Sequence, residues 1–293
     1  VAVYKRAYRA YDGALTSERW RFLVLPRYAF QEIFESRFLT AFLVICCVPF
    51  LAEATAVYVS NSAPARMVLN MPGEPSAMAK EFFIGALWIQ CTFAFFLTAW
   101  IAPVLISPDL VNGALPLYLS RPFSRVEYVL GKASVLVILL SAITWVPQLL
   151  LFLMQVDLGP DGWFAANYRI GLAILLGSWI WIAVLTLLGL ALSAWIRWRI
   201  VATGALFGVF FMGTAFGEMW REVVKNSWGR VVSLSYLIQV VWADLFGAAR
   251  MGMFGRRRAS DLDPWAAWIA LFTICLVCLW ILNKRLRARE VVA

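Results

Sequence analysis

The sequence contains no histidine. That absence removes imidazole acid–base catalysis, the commonest metal ligand and the usual switch near neutral pH. Charge is scarce too: 15% of the 293 residues are charged, against about 25% in an ordinary globular chain. The five cysteines, Cys46, Cys47, Cys91, Cys275 and Cys278, all lie in apolar segments. Cys275 and Cys278 have CxxC spacing, but no polar setting that would lower a thiol pKa. They read as small hydrophobes rather than a redox or zinc motif. The first 37 residues carry charge and no apolar run of signal-peptide type. Paired intramembrane carboxylates and a nucleophile with a nearby base are also missing. An integral membrane enzyme is therefore the weakest of three functional readings.

What the chain has in abundance is apolar side chain, at 62% of residues. Charge-free stretches cover 82–108, 133–156, 170–196, 200–217 and 264–283. A helix rises about 1.5 Å per residue, so roughly 20 apolar residues cross a hydrocarbon core of about 30 Å. Continuous runs of this kind exclude a membrane barrel, which needs short alternating strands. The fold class expected is all-α and polytopic. The formal net charge of +9 would suggest nucleic acid on a soluble chain. Here basic residues at helix ends orient the chain and face anionic lipid, so the partner expected is membrane lipid and not nucleic acid.

Residues 1–37 read as an arm ending in an interfacial helix. Phe30, Ile33, Phe34 and Phe38 recur at helical spacing, with Gln31, Glu32, Glu35 and Ser36 opposite. Residues 38–293 read as one transmembrane domain, with spans at about 38–59, 82–106, 133–154, 170–196, 200–217 and 264–282. Pro147-Gln148 predicts a kink in the third span. Arg197 to Arg199 form a tight turn between the fourth and fifth. Gly204 and Gly208, then Gly213 and Gly217, place small residues one turn apart in the fifth and predict close helix packing.

Residues 231–243 are 13 residues without a charge, short for a span. They predict a re-entrant or interfacial helix before the last span. With six spans, 16 of the 26 Lys and Arg lie on the N-terminal side, and a seventh span leaves that count unchanged. Charge bias places the N-terminus in the cytoplasm; length decides for six. The polar groups within the spans are candidate pathway residues: Glu53, Gln90 and Gln148, with Thr92 beside them. Glu53 lies toward the far end of its span, where a solvated end position is an equal expectation.

The segment 107–132 is longer than a minimal connection. Ser107-Pro108-Asp109 has the form of a helix start, with a cap, a proline and an acid in the first turn. Ser124 and Glu127 fit a capping box ahead of the third span. Pro122 disfavours a helical Arg121 and breaks the chain between the two pieces. The loop's apolar edge fits a docking surface and a lipid-facing helix equally well. Gly131-Lys132-Ala133 lacks the upstream glycine and the Ser/Thr of a P-loop. No ATPase is encoded here.

The stretch ISPDLVNGALPLYLSRPFSRVEYVLGK resembles the region between the second and third spans of type-2 ABC transporter permeases. The matching residues are Asp109, Gly113, Leu115, Pro116, Leu117, Tyr118, Leu119, Ser120, Arg121, Pro122, Ser124, Arg125, Glu127, Tyr128, Gly131 and Lys132; Phe123, on the loop's apolar edge, joins them as a docking residue without being a match. RFLVLPRYAFQEIFESR is similar to the family's interfacial connecting helix, and the six-span layout is similar throughout. The resemblance implies that the loop is a coupling helix seated in a cleft of a separate ABC ATPase subunit. It also implies a homodimer or paired permease in a bacterial cytoplasmic membrane, acting as an exporter. No cofactor would be bound by this chain, and ATP and Mg would lie on the partner. A non-transporting anchor or scaffold subunit is the alternative.

Overall fold

A computed structural model describes residues 24–71, 76–114, 124–224, 227–247 and 262–286. The described chain is all-α and polytopic, with six helices long and apolar enough to cross a membrane. The N-terminal arm 1–23 and the loop residues 115–123 lie outside the described residues. So does the predicted corner at Pro122.

The first helix, α1 (Val24–Glu35), precedes the first crossing helix, α2 (Arg37–Asn61). Ser36 separates them in an extended conformation and accepts a hydrogen bond from the Leu39 amide. The interfacial helix is thus a distinct element rather than the first turns of the span. A short helix α3 (Ala63–Val68) follows. The second crossing helix, α4 (Lys80–Val111), runs straight through Pro103 and Pro108. The predicted helix start at Ser107 is therefore corrected. Ser107 does not cap a new helix: its hydroxyl donates to the Arg197 carbonyl, and its amide donates to Ser193 Oγ at 3.0 Å. Tertiary partners hold the helix together where proline removes its own hydrogen bonds. Pro103 likewise frees the Ala99 carbonyl, which accepts from Thr203 Oγ1 at 3.0 Å.

The third crossing element is broken into α5 (Arg125–Ile143) and α6 (Trp145–Leu158). The break falls at Thr144, with φ −112° and ψ −92°. Pro147 explains it, because its ring clashes with the carbonyl four residues earlier, that of Ile143. The next two crossing helices are α7 (Trp163–Trp195) and α8 (Arg199–Val224). Helices α4 and α7 form the centre of the bundle. At Gly189 a Cβ would come within 2.7 Å of Ala102 Cβ, so this glycine lets the two backbones touch. Helices α2, α8 and α10 (Pro264–Arg285) are peripheral and leave most of their apolar surface uncovered.

Beyond α8 the chain forms a 3-10 turn (Ser227–Val232) and a short helix, α9 (Leu234–Phe246). Helix α9 does not cross. Ser233 at its start meets Thr214 of α8 at 3.1 Å, and the Gly247 carbonyl at its end accepts from Lys80, the first residue of α4. The Trp242 indole donates to the Gly177 carbonyl at 3.1 Å and lies edge-on to Trp88. A buried helix returning to its own side is re-entrant. Helix α10 then ends beside the last residue of α7, with the Arg285 guanidinium 4.7 Å from the Trp195 ring. Six crossings, not seven, bring those two ends to one face.

Candidate functional site

The candidate residues fall in two places. The first is the base of the loop between α4 and α5, on the face that also carries the Arg197 turn and Arg285. At the end of α4, Asp109 Oδ2 accepts from the Tyr128 hydroxyl at 2.7 Å and pairs with Lys132 Nζ at 2.9 Å. Tyr128 is fully buried, and Lys132 lies 5.7 Å from its ring. The carboxylate of α4 thus clasps two successive turns of α5. The predicted capping box is present: Glu127 Oε2 accepts from the Ser124 amide at 2.6 Å, and Ser124 Oγ from the Glu127 amide at 3.2 Å. Gly113 adopts φ +65° just past α4, a conformation costly for other residues. Helix α1 packs against α5. Arg125 begins α5 with its side chain exposed. Leu117, Tyr118, Leu119, Ser120, Arg121, Pro122 and Phe123 lie outside the described residues. Gly131 and Lys132 sit within α5, with Lys132 in an ion pair, so they form no phosphate-binding loop.

The second place is inside the bundle. Glu53 of α2, Gln90 of α4 and Gln148 of α6 meet there. Both glutamine Nε2 atoms donate to the same atom, Glu53 Oε2, each at 3.3 Å. Glu53 is 7% exposed, Gln90 1% and Gln148 0%; burial this deep removes the solvated-end reading of Glu53. Glu53 Oε1, Gln90 Oε1 and Gln148 Oε1 have no hydrogen-bond partner among the described residues. Thr92 stands apart and bonds its own helix at the Trp88 carbonyl.

Sequence reasoning missed two further polar joints. Two turns along the α2–α6 seam, Asn61 and Gln155 exchange side-chain hydrogen bonds at 3.0 and 3.1 Å. Gln155 Oε1 also accepts from the Met78 amide. The signal was spacing, since Gln155 follows Gln148 by one heptad. The other joint is Arg230, 2% exposed, whose Nη2 lies 2.9 Å from both Glu218 oxygens and whose guanidinium sits 4.8 Å from the Tyr236 ring. Burial opposes its charge, and Glu218 and Tyr236 outweigh that, so its pKa is raised. Gly213 and Gly217 let this segment approach α8. A Cβ on Gly213 would lie 3.0 Å from the Val232 carbonyl, and one on Gly217 3.3 Å from Arg230 Cα. Gly204 faces open space, and Gly208 has only Met212 of its own helix within 4 Å.

No protein-family model matches the chain, and no curated protein does either.

Proposed function

We propose that this chain is the membrane-spanning permease subunit of an ATP-driven ABC transporter, working as a dimer with a separate ATPase. The observation that carries the reading is the clasp. Asp109, Gly113, Ser124, Glu127, Tyr128 and Lys132 are residues of the type-2 permease resemblance, and together they tie both ends of one loop into a rigid base. Such a base suits a loop that must transmit force rather than merely connect two helices. A push on the loop moves the ends of α4 and α5 as one body. Helix α5 meets α6 at the Thr144 break, and α6 carries Gln148. Movement at the loop therefore has a mechanical route to the buried cluster through one hinge. Export in a bacterial cytoplasmic membrane, with the N-terminus inside, belongs to this proposal.

The test is co-purification with an ATPase and reconstituted transport. Arg121→Glu is expected to abolish ATPase association, and Pro122→Ala to weaken it. If both variants retain association and transport, the loop is not the coupling element.

A second reading is a membrane anchor or scaffold for a larger complex. It is favoured by the central α4–α7 pair, where three buried donors close on backbone: Thr98 on Ala94, Ser193 on Pro103 and Trp181 on Cys91. ATPase activity in the assembled complex that responds to no candidate substrate would support it.

A further inference from the structure

We propose that the Glu53–Gln90–Gln148 cluster is a binding site for a primary ammonium group. Among the described residues no cation pairs with Glu53; the ion pairs lie at Asp109 and Glu218. Two neutral amides on one oxygen do not neutralise a buried carboxylate, which is costly inside a membrane unless it is protonated or paired.

A single proton does not complete the cluster. It neutralises Glu53 and supplies one donor, and with one amide turned over that O–H bonds a glutamine oxygen. Three oxygens lack a partner among the described residues, so two acceptors stay unfilled. A group with one positive charge and several N–H donors fills all three.

The three free oxygens lie around one carboxylate oxygen, Glu53 Oε2. The amide and carboxylate groups separate their two polar atoms by about 2.2 Å, so all three free oxygens lie within about 5.5 Å of Glu53 Oε2. They come from three different helices. An ammonium group brings one positive charge and three N–H donors. The cluster offers one negative charge and three free acceptor oxygens. A quaternary ammonium matches the charge and supplies no donor. Sodium matches the charge but prefers more oxygen ligands than the three free ones here. The neighbouring Asn61–Gln155 pair shows what a finished polar contact in the same seam looks like, with both side chains reciprocally bonded.

This inference does not rest on the transport reading, since a scaffold could hold the same ligand. Its test therefore measures binding without a partner or ATP. The full chain in nanodiscs is titrated with methylammonium at constant pH and ionic strength and followed by infrared difference spectroscopy. A saturable change in the carboxyl and carboxylate bands is expected, absent in Glu53→Gln. The apparent dissociation constant should rise at least about tenfold in Gln90→Leu and Gln148→Leu, the loss expected for a hydrogen bond to a charged group. Tetramethylammonium and sodium should produce no saturable change. An equal response to either of them overturns the proposal, as does silence to all three, which would mean a protonated, water-filled joint. Should Glu53→Gln fail to fold, the selectivity of the wild-type chain for methylammonium over tetramethylammonium decides alone.

Discussion

Two polar assemblies sit at opposite depths of this molecule and differ in one respect. At the loop base, Asp109, Tyr128 and Lys132 leave no buried polar atom without a partner. Inside the bundle, Glu53, Gln90 and Gln148 leave three. The first is a finished joint, and its chemistry is spent on holding α4 to α5. The second is held together by two hydrogen bonds and retains acceptors for something else. The difference separates a joint whose polar atoms are spent on one another from a cluster that keeps unpaired acceptors, the basis of the proposed ammonium site. The Glu218–Arg230 pair stands between the two: its charges are matched, but Arg230 Nε and the Tyr236 hydroxyl have no hydrogen-bond partner among the described residues.

Substitutions can break or sharpen that division. The largest effect is expected at Glu218→Ala, which leaves the buried Arg230 without its carboxylate. Unfolding in mixed micelles should show a loss of about 3 kcal/mol. Asp109→Asn removes the charge from a joint whose members are largely buried, and should cost about 2 kcal/mol by the same measurement. Tyr128→Phe should cost about 1 kcal/mol, and the double variant should show coupling between the two sites. Gly213→Ala drives a methyl against the Val232 carbonyl and should cost about 1.5 kcal/mol. Gly204→Ala, facing open space, should leave the unfolding midpoint unchanged. The smallest effect is expected at Glu53→Gln. Removing an unpaired buried charge should be neutral or stabilising by up to about 1 kcal/mol. A loss as large as that of Asp109→Asn would place Glu53 among the finished joints and erase the distinction.

Much of the fold was legible because apolar runs of membrane-crossing length admit few readings. The first helix was legible in the spacing of Phe30, Ile33, Phe34 and Phe38; the cap at Ser36 that separates it from α2 was not. Six against seven crossings did not follow from charge, because both counts place the same number of basic residues on the N-terminal side. Lys80 against Gly247, and Arg285 against Trp195, decide it, and those contacts depend on how helices far apart in the chain pack. The helix start at Ser107 was misread because local capping signals compete with tertiary ones. Ser193 and the Arg197 carbonyl, more than eighty residues away, engage the atoms of Ser107.

The buried cluster was legible one residue at a time. Glu53, Gln90 and Gln148 each stand out in an apolar run. That they share one oxygen depends on the rotation of three helices about their axes, which helical periodicity alone leaves open. The seam's second layer was hidden for the same reason, although Asn61 and Gln155 follow Glu53 and Gln148 by eight and seven residues. Arg230 was overlooked because a charge beside a predicted loop reads as solvated until its burial is seen.

The central claim is that the loop clasped by Asp109 docks on an ATPase. A photo-cross-linking residue at Tyr118, introduced into the full chain in native membranes, addresses it directly. The account predicts an adduct to a soluble protein whose sequence carries a P-loop, lost in Arg121→Glu. Adducts confined to lipid or to other membrane-spanning chains would contradict it.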